Sequence, residues 1–227
     1  KGEEPLLLRR SDGYIGILID DLVTKGTNEP YRVMTSRSEY RLLHRQDNAD
    51  ERLSAIGVRI GLVSEEQHGK VLEKYAAVRR ELARLEHTHT APLPELNALL
   101  EEKGTAVLAN GASLADLIRR PQLCYADLAP FDPDRPALSR DIITEVEISL
   151  KYDGYIARQL KQVAEFTRLE ERPIPPDMDY DSLIGLRLEA REKLKKIRPE
   201  NFGRAGRISG VSPADISVLM IAMENRK

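Results

Sequence analysis

The sequence predicts a mainly α, multi-helix fold. Three observations carry this: apolar residues recur at helical spacing, Ser-led capping patterns stand in front of them, and Gly/Pro clusters separate them. The chain has 227 residues, enough to bury a core without disulfides or metals.

Taken in order, Ile15, Leu18, Ile19 and Leu22 fall at i, i+3, i+4 and i+7, a helical stripe within residues 11–25. Gly13 and Gly16 weaken that stripe and leave a buried strand as the alternative. Leu6-Leu7-Leu8 fits a short strand near the N-terminus, and Gly26–Pro30 a loop. Ser36-x-x-Glu39 has the capping-box pattern and opens a short helix to about Arg45. Asp47-Asn48 ends it and caps a second helix over about 49–59, bracketed by Gly57 and Gly61. Ser64-x-x-Gln67 opens a longer helix to about Glu86, and Ala91–Pro94 is a linker. Leu96, Leu99 and Leu100 suggest a short helix stopping at Gly104. Ser113-x-x-Asp116 caps another, ended by Pro121, and three prolines stiffen 130–138.

The longest helix runs from Ser139 to about Glu171, with an apolar face of Ile142, Val146, Ile156, Leu160 and Val163 and an i,i+4 pair of Glu147 with Lys151. Pro173, Pro175 and Pro176 end it. Several short helices follow around Gly185, Pro199, Gly203 and Gly210, and Ser212-Pro213-x-Asp215 is a helix start. The expected division is a connection over 1–28, a helical domain over 29–172 with the long helix at about 139–171, and a small helical subdomain over 173–227.

Composition removes several function classes. Lys+Arg is 35 against Asp+Glu 37, for a net charge of −2, so any polyanion-binding surface must be local. One cysteine, Cys124, excludes an intramolecular disulfide and a cysteine-built zinc site. The longest apolar run, Val218–Met223, is far too short to span a membrane. There is no signal-peptide pattern and no initiator Met, so the chain reads as processed or as a fragment of something longer, and the expected compartment is cytoplasmic. No G-x-G-x-x-G and no P-loop occurs. His87-Thr88-His89 reads either as a metal chelate or as exposed histidines at a helix end. Cys124, beside Leu123, Tyr125 and Leu128, reads either as a buried structural thiol or as a nucleophile.

Two basic constellations remain. Arg37, Arg41 and Arg45 share one face if 36–45 is helical, with Arg32 just before them. Arginine forks match phosphate oxygens, and Tyr31 and Tyr40 offer rings for base stacking. The competing reading pairs these arginines with Asp47, Asp50 and Glu51. The second constellation holds Arg187, Arg191, Lys193, Lys195, Lys196, Arg198, Arg204 and Arg207 against Glu189, Glu192 and Glu200. It suits a nucleic acid or an acidic partner; a solvated helix face is the alternative.

The run Glu29-Pro30-Tyr31-Arg32-Val33-Met34-Thr35-Ser36-Arg37-Ser38-Glu39-Tyr40-Arg41-Leu42-Leu43, followed by Arg45–Asp50, closely resembles the signature of the GidA/MnmG family. So do Tyr14–Gly26, Tyr155–Gln159, Ile174–Asp177, Asp179–Leu183 and Arg207–Ile216. The likeness covers essentially the whole chain, in order. His44 and Gln46 depart from it, standing where the family usually has a leucine and an acidic residue. The resemblance implies the mainly helical C-terminal region of a larger FAD-dependent protein, with residues 1–28 leading from a FAD-binding domain outside this sequence. It implies an enzyme that uses FAD and NADH and, with the MnmE GTPase, adds a carboxymethylaminomethyl group to the wobble uridine of certain tRNAs. Its implied assembly is a homodimer joined by two copies of MnmE, with no membrane association. This chain alone is then expected to hold no cofactor and to catalyse nothing. The expected tRNA-binding residues are Arg32, Arg37, Arg41, Arg45 and Tyr40. Those expected to dock a partner or tRNA are Arg191, Lys193, Lys195, Lys196, Arg198, Arg204 and Arg207. A purely structural scaffold is the alternative.

Overall fold

The computed structural model describes residues 2, 4–24, 26 and 29–224. Among them are nine α-helices: α1 (Tyr14–Thr24), α2 (Ala49–Arg59), α3 (Glu65–His87), α4 (Pro94–Glu102), α5 (Leu114–Ile118), α6 (Arg140–Glu170), α7 (Leu188–Ile197), α8 (Phe202–Arg207) and α9 (Pro213–Glu224). Two 3-10 segments, Thr35–Arg37 and Tyr125–Phe131, and a two-stranded ribbon complete the list. In the ribbon β1 (His89–Thr90) pairs antiparallel with β2 (Ala112–Ser113), in register His89 with Ser113. The mainly α class is as expected from sequence.

Local chemistry sets many of these boundaries. At the start of α3, Ser64 Oγ accepts from the Gln67 amide while the Gln67 side chain accepts from the Ser64 amide, a full capping box. Ser113 Oγ accepts from the Asp116 amide at the start of α5. Ser212 and Asp215 bond reciprocally at α9, with Pro213 as its first residue. Gly104, at φ +67, closes α4: its amide bonds the Glu101 carbonyl and the Thr105 amide bonds the Leu100 carbonyl. That left-handed stop is the geometry glycine adopts at least cost.

The chain divides into two compact units, residues 45–157 and residues 1–44 with 158–227. The second boundary falls inside α6. These boundaries differ from the linear division at 28/29 and 172/173. The physical reason is that the N-terminal segment and the C-terminal helices share one set of contacts, Arg207 to Asp20 among them.

In the unit 45–157, α3 contributes Tyr75, Val78 and Leu85 to a core with Leu96, Leu100, Leu114, Leu117, Ile118 and Val146. A buried polar network crosses it. Tyr125 Oη donates to Glu81 Oε1 at 2.8 Å, and Arg84 bridges Glu81 and Asp132. Burial, then the Glu81 bond, pushes the Tyr125 phenol up to about 12. The expected Glu147–Lys151 pair is not what these side chains form: the Tyr125 amide donates to Glu147, and Lys151 Nζ donates to the Leu123 carbonyl. Unsatisfied backbone groups next to the 3-10 segment outcompete a solvated ion pair. Leu160, expected on the inner face of α6, is 53% exposed.

The other unit has its own core of Met178, Tyr180, Leu194, Phe202 and Leu219. An isolated bridge between Pro173 and Asn201 ties the chain after α6 to the start of α8. Within the stretch that begins at Ser11, Tyr14–Thr24 is helical rather than a strand, Lys25 lies outside the described residues, and Leu6-Leu7-Leu8 lies in no strand.

Candidate nucleic-acid interface

The segment carrying the first arginines is not helical beyond one 3-10 turn at Thr35–Arg37. Ser38 is extended, and residues 41–44 form a turn. The helix expected over 36–45 is therefore absent, and Arg37, Arg41 and Arg45 share no helical face. Tertiary contacts explain why. Glu39, expected to complete a capping box, instead accepts from Arg10 Nη2 at 2.7 Å. Ser38 Oγ accepts from the Tyr40 amide at 3.1 Å and lies 3.0 Å from His44 Nδ1. Such side-chain to backbone bonds compete with helix formation.

His44, a position left without a role by sequence, clamps this segment. Its Nε2 is 2.8 Å from the Ser11 carbonyl, which can only accept. The Nε2 therefore carries the proton, and in the neutral ring Nδ1 accepts from Ser38. The rings of Tyr14 and Tyr40 meet His44 edge-on.

Beneath the segment lies Arg10, 5% exposed, bonded to Asp20, Asp21 and Glu39. Burial opposes its charge, but the bonds to Asp21 and Glu39 outweigh burial and raise its pKa. Gly16 lets α1 approach the strap before it: a Cβ there would stand 2.1 Å from the Arg9 carbonyl oxygen. Tyr31 Oη donates to Asp21 at 2.9 Å, and the Arg37 guanidinium lies 4.4 Å from the Tyr31 ring centre.

The candidate contacts separate into two sets on this frame. Arg32, Arg37 and Arg41 are exposed, and Arg32 and Arg41 have no acidic partner among the described residues. Tyr40 is 5% exposed, so its ring belongs to the packing around His44 and has no open face for a base. Arg45 is bonded to Asp47 at 2.9 Å and to Glu145 at 3.1 Å. Among the acids in the competing reading, Asp47 does pair with Arg45, while Asp50 bonds Lys74 and Tyr75.

Glu145 is a feature sequence reasoning missed. It is 3% exposed on α6, and burial followed by the neighbouring Asp47 pushes its carboxyl up to about 7. A glutamate on the otherwise apolar inner face of a predicted helix was the available signal.

The second constellation is mostly partnered. Arg207, 8% exposed, bonds Asp20 and Glu170 and stacks on Phe166, so it serves the fold and presents nothing outward. Arg191 donates to the carbonyls of Leu183 and Leu186. Arg198, at φ 50, donates to those of Pro176 and Met178. Arg187 holds Asp215, which lies well below the usual carboxylate range through that bond above all. Lys195 pairs with Asp181 and Arg204 with Glu200. Lys193 and Lys196 are exposed without a partner among the described residues.

Elsewhere, Cys124 is half-buried and its thiol donates to Asp127, whose carboxyl Lys103 and then Cys124 pull down to about 2. His87 and His89 are exposed, and no group of three or more metal-binding side chains occurs among the described residues. The positive-φ glycines among the described residues do not form a phosphate-binding run, and the amide of Asp116 at the start of α5 is bonded by its own cap.

Two sequence profiles match: the MnmG/GidA C-terminal helical domain of that tRNA modifying enzyme over residues 65–160, and its C-terminal helical bundle over residues 162–227. The chain is 54% identical over its whole length to a tRNA uridine 5-carboxymethylaminomethyl modification enzyme MnmG of Caldicellulosiruptor saccharolyticus. The chain belongs to the MnmG/GidA family. It spans 36% of that relative, and equally 36% of the MnmG of Enterococcus faecalis, to which it is 51% identical. Among solved structures, Aquifex aeolicus GidA superposes with a TM-score of 0.76 at 40% identity, covering 98% of this chain and 34% of that one. The two MnmG/GidA profiles meet at 160/162, close to the unit boundary at 157/158. The arginine-bearing segment 29–45 lies outside both profiles but within the length matched by the MnmG relatives.

Proposed function

We propose that this chain is the tRNA- and partner-binding C-terminal region of an MnmG-type enzyme. With the MnmE GTPase, that enzyme adds a carboxymethylaminomethyl group to the wobble uridine of certain tRNAs. The observation that carries the tRNA-binding part is the exposure of Arg32, Arg37 and Arg41 on a segment held by His44 and Arg10. Unpaired guanidinium groups on a fixed backbone suit phosphate oxygens, and binding then releases counterions. Stacking on Tyr31 orients the Arg37 fork. Tyr40 acts here by positioning the segment, and Arg45 is engaged by Asp47 and Glu145 within the unit 45–157.

FAD and NADH belong, on this reading, to the part of the enzyme this chain does not span; the chain alone performs no chemistry. The homodimer, the two MnmE copies and the cytoplasmic setting come from the family resemblance. Partner docking falls to α7 with Lys193 and Lys196, where Lys195 is also exposed; Arg198, exposed, ends that helix, and Arg204, half-exposed, lies on α8.

A scaffold role is favoured by one set of facts, the engagement of Arg45, Arg207 and Tyr40 within the fold. One titration separates the readings. In the full-length enzyme, Arg32→Glu, Arg37→Glu and Arg41→Glu are each expected to weaken tRNA binding and to reduce the slope of log K against log[salt] by about 1. Wild-type binding by all three at every salt concentration would leave the scaffold reading.

A further inference from the structure

The motifs Ile174–Asp177 and Asp179–Leu183 build a cavity within the C-terminal helical bundle. It measures about 560 Å³, and four prolines, Ile174 and Tyr180 line it together with Arg198 and Glu200. Backbone bonds fix its walls. The Ile174 amide donates to the Glu200 carbonyl at 2.8 Å and the Phe202 amide to the Arg172 carbonyl at 3.2 Å, so the chain after α6 runs beside the chain between α7 and α8. Ile174, Tyr180 and Pro199 are buried, while Pro173 and Pro176 are exposed. Proline rings hold one shape, so the cavity exists before anything enters it and little ordering is needed to fill it. An apolar wall with a few polar groups, at this volume, is the usual form of a binding site.

Arg198 is the second observation. It is the one non-glycine residue at positive φ among the described residues, at φ 50. It ends α7, where glycine adopts this backbone at least cost, and it precedes Pro199, which disfavours helical backbone before it. Strain of that kind persists where the surroundings hold a residue in place, and it gathers at ligand clamps. The guanidinium uses Nη1 on the carbonyls of Pro176 and Met178 and stands 5.6 Å from the centre of the Tyr180 ring. Its Nε and Nη2 have no partner among the described residues. On that edge a carboxylate sits side-on with two hydrogen bonds.

The charges around the fork suit one anion and oppose a run of them. Asp177 lies in sequence between the two carbonyls that Arg198 holds, and Glu200, bonded to Arg204, lines the cavity. A phosphate backbone would meet both carboxylates, and Tyr180, 2% exposed, turns no ring face to a base. What fits is protein, with one apolar side chain and one carboxylate close to it. We propose that the cavity anchors a protein partner by taking an aliphatic or aromatic side chain, with a neighbouring Asp or Glu of that partner on the Arg198 fork. The inference rests on reading α7 as a partner-docking element and adds the point at which the partner is gripped.

The test uses the full-length enzyme with the GTPase as the probe, affinity being read by calorimetry and tRNA binding measured in parallel. Arg198→Gly relieves the left-handed backbone while removing the fork, and Pro176→Trp fills the cavity from an exposed position. Each is expected to weaken GTPase binding at least about tenfold and to leave tRNA affinity unchanged. Wild-type GTPase affinity in either folded variant overturns the inference; where Arg198→Gly lowers the melting temperature, Pro176→Trp decides. Loss of tRNA affinity in place of GTPase affinity assigns the cavity to RNA and also overturns it. Lys193→Glu with Lys196→Glu separates this outcome from the fate of the underlying reading. Weak GTPase binding by that double variant beside normal binding by the cavity variants removes the anchor and keeps α7 as the docking element. Wild-type affinity in all three removes both.

Discussion

Arg207 shows how far a side chain's charge can mislead about its use. Counted in the sequence, it adds to a basic patch; in the fold it is 8% exposed between Asp20 and Glu170. Replacing it with Met leaves two carboxylates short of a partner, and a loss of about 3–5 kcal/mol is expected in urea unfolding of the full-length protein. Gly16→Ala should cost about 1–3 kcal/mol, because the added methyl meets a backbone carbonyl that no rotamer change can move. Glu145 gives a pH signature. Its folded pKa, about 7, lies above the ordinary 4.5, so the folded state holds the proton more tightly. Its contribution to stability is complete below about 4.5 and is lost as pH rises through about 7. Glu145→Gln should remove that decline, on the order of 1–2 kcal/mol, in melting curves recorded across this range. An unchanged pH profile would show that Arg45 keeps Glu145 ionised throughout.

Helices whose ends are written in side chains behave as the sequence says. Ser64 is exposed and its hydroxyl bonds the Gln67 amide, so Ser64→Ala should lower stability by about 1 kcal/mol through the cap alone, read from the shift in urea midpoint. The same pattern at Ser36-x-x-Glu39 fails because Glu39 has a stronger partner in Arg10, a buried guanidinium 29 residues away in sequence. A capping box is a local offer, and a charge-assisted bond to a buried cation outcompetes it. The α6 pair Glu147 and Lys151 fails likewise, each side chain satisfying a backbone group near the 3-10 segment.

For the whole molecule, the consequence that matters is that residues 1–44 and 158–227 form one unit. Deleting 182–227 would remove Arg207 and leave Asp20 with Arg10 alone, so loss of function after such a deletion would report unfolding as readily as lost docking. Lys193→Glu with Lys196→Glu changes only exposed, unpartnered side chains. This double variant should keep its melting temperature and weaken partner binding measured by calorimetry; unchanged affinity would return α7 to the role of a structural cap.

The sequence by itself determined the mainly α class, the extents of α2, α3 and α6 to within a residue or two, and the family. Helical periodicity, caps and proline stops are local signals, and they suffice where neighbouring residues supply every partner a helix end needs. Only the tertiary structure decided which side of α1 faces inward, whether 36–45 is a helix, and which arginines are free. Those outcomes turn on Arg10, His44, Asp47, Glu145 and Glu170, whose partners are mostly distant along the chain. A buried charge takes the partner that geometry brings to it, because leaving it unpaired costs more than any local preference returns.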